Sequence, residues 1–280
     1  MIAWGGSWPA GKIIADSIEP EVLIFWRFSL TFISFFPVMF AFEKSFKLDK
    51  SSAGFILAGG ISLILYNKFY FMGLHYGLAG AGGVLVTTLN PILTFIFTII
   101  LFRKNVSVRE YLGIILGLTG GMCLLQIWAI NFNKLVQSGN LFFVIAAFSW
   151  ASVSIISDKS KNYMSPLVFS FYVYGVAAFI DLFFALRFDM MKVFEFGASF
   201  WLSITYLALI ATTFATTVYF IAAGRIGSRK ASAFIFLVPV SAVFVSWLLL
   251  GENPGIYTII GGLIGITAVY LINFQMRAVK

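Results

Sequence analysis

The chain has 280 residues, of which 60% are hydrophobic and only 11% are charged. A soluble globular domain carries about 25% charged residues, so this composition excludes an ordinary water-soluble fold. The formal net charge of +8 would suit a nucleic-acid partner, but the basic residues lie in short loops between apolar runs, where membrane topology accounts for them. We therefore predict the lipid bilayer as a partner and no nucleic acid.

Ten apolar segments approach the length of about 20 residues that a membrane-spanning helix requires. In the first half they cover 1–15, 20–42, 53–76, 80–102 and 108–129. In the second half they cover 139–157, 165–187, 198–223, 229–250 and 255–276. The first segment is short, because Trp4 lies close to the start whereas the corresponding Trp150 follows a longer apolar run. We expect the first helix to be truncated at its N-terminus.

The second half of the chain repeats the first. A shift of 148 residues places Pro91 on Pro239 and Gly113 on Gly261, and a shift of 146 places Trp4 on Trp150. Such self-similarity predicts two copies of one structural unit, here 1–129 and 138–280. Because each copy has five spans, the second enters the membrane with opposite polarity. The expected architecture is an all-α protein of two inverted five-helix repeats, with a substrate site near the midplane.

Basic residues in the loops predict the orientation. Cytoplasmic loops carry an excess of Lys and Arg, and a cytoplasmic N-terminus places most of the 19 basic residues inside. The predicted inside residues are Lys44, Lys47, Lys50, Arg103, Lys104, Arg109, Lys159, Lys161, Arg225, Arg229, Lys230, Arg277 and Lys280. The predicted outside residues are Lys12, Lys134, Arg187 and Lys192. Both termini are therefore predicted in the cytoplasm.

Several short motifs carry a family resemblance. The run Trp4-Gly5-Gly6-Ser7 followed by Lys12, Pro20 and Arg27, and the run Leu250-Gly251-Glu252, resemble the EamA branch of the drug/metabolite transporter (DMT) superfamily. The first copy has Phe102-Arg103-Lys104 where Leu-Gly-Glu is expected. The resemblance covers essentially the whole chain. It implies ten helices in two inverted repeats and the export or exchange of small metabolites.

Three ionisable residues lie inside predicted helices, where a charge in hydrocarbon is costly and usually functional. Arg27, Lys68 and Asp181 each lie some residues from the predicted outer end of a helix, and hence at comparable depth. We hypothesise that Arg27 and Lys68 line a cavity, and that Asp181 partners one of them or carries a coupling proton. The alternative for Arg27 and Lys68 is that their long side chains extend to the interface.

Uncharged side chains around these residues are candidates for orienting a polar solute. The predicted cavity residues are Tyr66, Asn67, Asn90, Trp150, Ser154, Tyr172 and Thr212. The alternative is that Ser and Thr bond to their own helix and that Tyr and Trp lie at interfaces. Pro91 and Pro239 each remove a backbone hydrogen bond, so they are candidate hinges or passive kinks.

The glycine motifs Gly113-x-x-x-Gly117 and Gly261-x-x-x-Gly265 permit close helix approach. We expect the fifth helix to pack on the tenth within one chain, with homodimerisation through these motifs as the alternative. His75 is the only histidine, so a histidine cluster for a metal cannot form. No metal and no cofactor is predicted.

These patterns predict a secondary transporter that works by alternating access and is not an enzyme. The family resemblance implies that it exports small metabolites such as amino acids. The cation pair Arg27 and Lys68 would suit a carboxylate. The resemblance implies a multi-pass protein of the bacterial inner membrane. The alternatives are a non-transporting membrane scaffold and a membrane-embedded enzyme. A scaffold would tolerate loss of the Lys68 charge.

Overall fold

The computed structural model describes residues 1–43, 48, 51–102, 107–126, 128, 137–226 and 237–273. Within these ranges the secondary structure is helical, without a strand. This agrees with the composition. In hydrocarbon every backbone N–H and C=O must be bonded inside the protein, and a helix does so within its own segment.

The helices follow the predicted segments closely. In the first half they are α1 (Ile2–Gly5), α2 (Ser7–Ile14), α3 (Pro20–Phe42), α4 (Ser52–Tyr76), α5 (Ala79–Phe102) and α6 (Val108–Leu125). In the second half they are α7 (Asn140–Ser160), α8 (Pro166–Ala185), a 3-10 helix (Met190–Glu195), α9 (Ala198–Thr205), a π-helical segment (Tyr206–Phe214), α10 (Ala215–Ile226), α11 (Leu237–Leu250) and α12 (Ile256–Asn273).

Seven helical runs in the described part of the chain are long and apolar enough to cross a membrane, including the continuous run Ala198–Tyr219. Helix α11 and the apolar run Ile256–Leu271 of α12 are shorter, and the predicted extensions 229–236 and 274–276 lie outside the described residues. The predicted first span is two short helices, α1 and α2, which together reach roughly 20 Å of the ~30 Å hydrocarbon core. The chain is a multi-pass membrane protein.

One end of the bundle is joined by contacts around the start of α3, and we call it the Pro20 end. The Lys12 ammonium donates to the Leu74 carbonyl near the end of α4. The Trp26 indole N–H donates to the carbonyl of Met190 in the 3-10 helix at 3.1 Å. The end of α4, the start of α3 and the 3-10 helix therefore lie at the same end.

The opposite end is joined by contacts around the end of α3, and we call it the Glu43 end. The Ser165 hydroxyl, at the start of α8, donates to the Glu43 carboxylate. The Phe55 ring, in the first turn of α4, lies 5.3 Å from the Tyr163 ring. Helix α3 therefore runs from the Pro20 end to the Glu43 end, α4 runs back to the Pro20 end, and α8 runs from the Glu43 end to the Pro20 end.

Many of the basic loop residues that predict orientation lie outside the described residues, namely Lys44, Lys47, Lys50, Arg103, Lys104, Lys134, Arg229, Lys230, Arg277 and Lys280.

Helices of the first half of the chain pack against helices of the second half. Helix α3 contacts α8, α5 contacts α11, and α6 contacts α12. In addition, α4 contacts both α7 and α8, and α2 contacts α9 and the π-helical segment. The convergence of α3, α4 and α8 positions the candidate site described below.

Glycines bring α6 and α12 together until their backbones touch. A Cβ at Gly261 would lie 2.9 Å from the Gly120 carbonyl oxygen, and a Cβ at Gly120 would lie 3.0 Å from the Gly261 carbonyl oxygen and the Gly265 nitrogen. Only glycine permits this approach. Helix α6 thus packs on α12 within one chain, which is the first of the two predicted alternatives. The backbone contact on α6 is made by Gly120, outside the predicted Gly113-x-x-x-Gly117 motif, while a Cβ at Gly117 would meet Ile92 and Ala268.

The Leu250-Gly251-Glu252 motif joins the end of α11 to the start of α5. Gly251 has a φ of +67°, the left-handed conformation that favours glycine after a helix. The two carboxylate oxygens of Glu252 accept the N–H groups of Ala79 and Gly80 at 2.9 and 2.8 Å. These are free donors at the N-terminus of α5, where a negative charge is also favoured by the helix dipole. The shifted counterpart, Lys104, lies outside the described residues.

The π-helical segment is stabilised by threonine side chains. The Thr212 hydroxyl donates to the Leu207 carbonyl at 2.8 Å and the Thr213 hydroxyl donates to the Ala208 carbonyl at 3.1 Å, both five residues earlier. The Ser34 and Thr213 hydroxyls lie 2.6 Å apart, which links the segment to α3. Segments of this kind are uncommon and often occur at functional sites.

The glycine contact between α6 and α12 predicts that substitutions at two helical glycines have opposite effects. Gly261→Ala forces its new methyl group against the backbone of α6, so we expect destabilisation of about 1–3 kcal/mol. Gly54→Ala is the matched control, because a Cβ at Gly54 meets nothing within 4 Å. It should stabilise the helix by up to about 1 kcal/mol. The measurement is the free energy of unfolding in mixed detergent micelles, and equal effects at both positions would refute the close contact.

The Glu252 contact predicts that its carboxylate stabilises the fold. Glu252→Ala leaves the N–H groups of Ala79 and Gly80 without an acceptor, so we expect a loss of about 1–2 kcal/mol. Glu195→Ala, at an exposed carboxylate, is the control. The same micelle titration measures both variants. Indistinguishable stabilities would show that the Glu252 bonds contribute nothing net.

Candidate functional site

Arg27 is a cation buried between helices. It lies eight residues into α3, and only 8% of its surface is exposed. Its Nη1 donates to the Asn67 side-chain oxygen at 2.8 Å, while its Nε is buried without a hydrogen-bond partner. A guanidinium has five N–H donors in a planar fork. Arg27 therefore keeps donor capacity free in a place that is shielded from bulk water.

Tyrosine rings surround the guanidinium. The Arg27 Cζ lies 5.4 Å from the centre of the Tyr70 ring, a distance at which a cation is attracted to the ring face. The charge of Arg27 also acts on the hydroxyls of Tyr66 and Tyr174. Tyr66 and Tyr174 are half-buried, so part of each ring remains accessible. We call Arg27, Tyr66, Asn67, Tyr70 and Tyr174 the arginine–tyrosine site.

Helical spacing explains how α4 supplies most of this site. Tyr66 and Tyr70 are four residues apart and so lie on the same face. The intervening Asn67 is fixed by its own helix, because its amide donates to the Leu63 carbonyl at 3.0 Å, which directs its oxygen toward Arg27. The Tyr70 hydroxyl donates to the Ser7 carbonyl of α2 at 2.5 Å.

A second group of charged side chains lies nearer the Pro20 end. The Lys68 ammonium is 2.9 Å from the Glu21 carboxylate, and their side chains are 44% and 19% exposed. Asp181 in α8 is only 1% exposed, and its Oδ2 is buried without a hydrogen-bond partner. The charges of Glu21 and Lys68 both act on Asp181. We call Glu21, Lys68 and Asp181 the charge cluster.

A buried guanidinium with unused donors favours binding of an anion. A carboxylate could accept two parallel N–H bonds from Arg27, the strongest arrangement available to that pair. The surrounding rings offer apolar contact and hydroxyl groups to the rest of such a ligand. Among the described residues, His, Cys, Asp and Glu form no group of three or more that could hold a metal ion.

Comparison with known proteins places this arrangement in a family. The model of the EamA-like transporter family matches residues 1–126 and 137–274, which is nearly the whole chain. The chain belongs to the EamA-like transporter family. The expected family resemblance is thereby confirmed, and membership in a transporter family argues against the membrane-enzyme alternative.

Relatives of this EamA-family chain match it from end to end. An "Uncharacterized transporter YoaV" of Bacillus subtilis is 23% identical over 280 residues, which cover 100% of this chain and 96% of its own length. A "Probable amino-acid metabolite efflux pump" of Escherichia coli is 23% identical over 99% of this chain and 93% of its own length. A solved crystal structure with 18% identity and a TM-score of 0.64 covers 96% of this chain and 94% of its own. That structure shares the fold.

In this EamA-family chain the predicted cation pair is divided between two sites. Arg27 lies among the tyrosines, whereas Lys68 pairs with Glu21. Asp181 has an ion pair with neither Arg27 nor Lys68 in this state, although Lys68 is close enough to influence it. Of the uncharged candidates, Tyr66 and Asn67 belong to the arginine–tyrosine site.

Two further candidates border the arginine–tyrosine site. The Trp150 ring, on α7, lies 4.7 Å from the Tyr66 ring and is half-buried. Thr212, in the π-helical segment, is hydrogen-bonded to Tyr174 as well as to its own helix. The site therefore extends from α3, α4 and α8 to α7 and the π-helical segment.

The remaining candidates make local contacts. Ser154 donates to the Trp150 carbonyl at 3.0 Å, and the Asn90 side chain accepts from Thr94 at 3.1 Å. The Tyr172 ring packs on Phe171 at 5.1 Å. The Ser154 bond is of the kind that the alternative predicts, in which Ser and Thr bond to their own helix. Pro91 lies inside α5, and Pro239 is the third described residue of α11.

Sequence reasoning missed Glu21 and Tyr70 as site residues. Glu21 directly follows the helix-starting Pro20, so it reads as an ordinary acidic residue of a first turn. Tyr70 could have been found, because it lies four residues after Tyr66 on the same helical face. An apolar groove of about 420 Å³ lies elsewhere, between α5, α11 and α12. Its lining, which includes Val84, Phe244 and Leu263, offers no charge for binding a polar solute.

Proposed function

We propose that this protein is a secondary transporter that exports a small amphipathic anion, with amino acids as the first class to test. The arginine–tyrosine site is the substrate site, and alternating access is the mechanism. The observation that carries the proposal is the buried Arg27 guanidinium, whose Nε has no partner within the protein. A substrate carboxylate would supply that partner.

The proposed layout is ten membrane crossings in two inverted repeats, 1–129 and 138–280. The separate family matches over 1–126 and 137–274 support this division. The pairing of α3 with α8, α5 with α11 and α6 with α12 is what a twofold relation between the repeats would produce. The basic residues of the loops favour cytoplasmic termini, and the bacterial relatives favour the inner membrane.

The substrate class follows from the charge that remains available. Lys68 is paired with Glu21, so among the described residues Arg27 is the one cation that faces the tyrosines. The site therefore matches a substrate that carries a single negative charge. The half-buried faces of Tyr66, Trp150 and Tyr174 suit an apolar body on the same molecule. An amino acid combines a carboxylate with such a body, and the E. coli relative is named as an amino-acid metabolite efflux pump.

Transport of this kind draws its energy from an ion gradient or from the gradient of the solute. Movement of one repeat against the other would expose the site to the two sides in turn. Pro91 and Pro239 are the proposed hinges. Pro91 removes a backbone hydrogen bond inside α5, and Pro239 lies in α11, which packs against α5.

A single isosteric substitution tests the substrate site. Asn67→Asp converts the 2.8 Å contact with Arg27 into an internal ion pair, so the protein supplies the carboxylate that a substrate would bring. We expect efflux of labelled amino acids from proteoliposomes to fall at least about tenfold, which is the equivalent of losing one charge-assisted hydrogen bond. Thermal stability in detergent should change little, because the new ion pair with Arg27 offsets the lost hydrogen bond to the Leu63 carbonyl.

The matched control is Asn253→Asp, which adds the same charge in an exposed loop. It should transport as the wild-type chain does. Wild-type efflux together with undiminished efflux by Asn67→Asp would refute Arg27 as the carboxylate-binding residue. No wild-type efflux above that of empty liposomes, for any loaded amino acid, would refute amino acids as the substrate class.

A further inference from the structure

The charge cluster is separate from the arginine–tyrosine site, yet the same three helices build both. Helix α3 supplies Glu21 and Arg27, and α4 supplies the neighbours Asn67 and Lys68. Helix α8 supplies Tyr174 and Asp181, which are seven residues apart and hence on one face at a separation of about 10 Å. Any shift of these helices when substrate binds therefore changes the charge cluster as well.

Asp181 is the unusual member of the cluster. It is almost fully buried, and its Oδ2 lacks a donor although Lys68 is near enough to influence it. An ionised carboxylate without a partner is very costly in such surroundings, whereas a neutral carboxyl group is tolerated. The state described here, with Lys68 on Glu21, is thus the state that suits a protonated Asp181.

We propose that Asp181 carries the proton that is exchanged for substrate, and that Lys68 moves from Glu21 to Asp181 when Asp181 releases that proton. This inference rests on the proposed transport function. With Asp181 protonated, Lys68 and Glu21 neutralise each other. After the proton leaves to the aqueous side, the ammonium follows the new carboxylate, and the proton is taken up again from the opposite side in the next half-cycle.

The geometry permits this exchange. Lys68 has a flexible four-carbon stem, and its side chain is 44% exposed, so it is not packed in place. Glu21 can be left without its cation, because it lies in the first turn of α3, where the helix N-terminus stabilises a carboxylate. Asp181 has no such compensation in α8, and its need for the ammonium is therefore greater once it is ionised.

The described charges that act on Asp181 are those of Glu21 and Lys68. Arg187, just after α8, and Lys192, in the 3-10 helix, lie at the same end and are exposed. Arg27, on α3, acts on the tyrosines. The other helices that contact α8 are α7 and α10. Their charged residues, Asp158 and Lys159 on α7 and Arg225 on α10, lie toward the Glu43 end, whereas Asp181 lies in the last turns of α8 near the Pro20 end.

The test measures the effect of a pH gradient on efflux from proteoliposomes loaded with labelled amino acids. A gradient that drives protons into the loaded compartment should accelerate wild-type efflux. Asp181→Asn cannot bind and release a proton, so it should lose this acceleration while still exchanging labelled for unlabelled substrate. Asp158→Asn, at an exposed carboxylate paired with Lys161 on the surface, is the control and should respond as the wild type does.

Two further variants test the movement of Lys68. Glu21→Gln frees Lys68 for Asp181, which favours the ionised form, so the pH of half-maximal efflux should fall by about one unit or more. Lys68→Met removes the cation that stabilises ionised Asp181, so the pH of half-maximal efflux should rise. These opposite shifts distinguish an exchanging ammonium from a static ion pair.

The outcomes separate this inference from the transport function itself. Wild-type exchange that does not respond to the pH gradient would refute the proton role and leave transport standing. Retained acceleration in Asp181→Asn would refute it in the same way, as would unshifted pH profiles in Glu21→Gln and Lys68→Met. Absence of exchange by the wild-type chain would refute the transport proposal on which the inference depends.

Discussion

The full positive charge of Arg27 is the constraint around which this bundle is arranged. Hydrocarbon cannot solvate a guanidinium, so its compensation must come from the protein itself. Asn67 accepts one hydrogen bond and the Tyr70 ring offers its face, and Tyr70 is in turn held by the Ser7 carbonyl. These partners require α2, α3 and α4 to meet at one depth. Because the Arg27 Nε has no hydrogen-bond partner in the described part of the protein, the guanidinium that organises the interior also favours binding of an anion.

Two kinds of helix contact have different consequences for movement. Between α6 and α12 the glycines allow backbone-to-backbone packing around Gly120 and Gly261, which has little room to shift. The Arg109 guanidinium of α6 also lies 5.9 Å from the Tyr270 ring of α12. Between α3 and the π-helical segment the contact includes Ser34 and Thr213, whose hydroxyls can exchange partners at small cost. In the proposed transport cycle, the contact between α6 and α12 would act as a framework, and the contact between α3 and the π-helical segment would be the surface along which helices adjust.

Much of the fold could be predicted because it depends on local patterns. Hydrophobic length predicts the bounds of α3, α4 and α5 to within about one residue. Depth within a helix singles out Arg27, Lys68 and Asp181, of which Arg27 and Asp181 are buried and the Lys68 side chain is 44% exposed. Pairing could not be predicted in the same way, because it depends on side-chain reach between helices. Lys68 turns toward Glu21 at the helix end instead of joining Arg27, and the π-helical segment arises from bonds five residues apart that no periodicity distinguishes.

The two ends of the bundle are tied by polar contacts between the halves of the chain that are individually weak. At the Pro20 end, Glu252 of the second half holds the N-terminus of α5 in the first, and Trp26 holds the carbonyl of Met190. At the Glu43 end, Ser165 holds Glu43. Such bonds contribute about 1–3 kcal/mol each, which is comparable with the differential binding energy of a ligand. If the proposed substrate carboxylate binds Arg27, its binding energy would be sufficient to change the balance between one end and the other, whereas it would not separate α6 from α12.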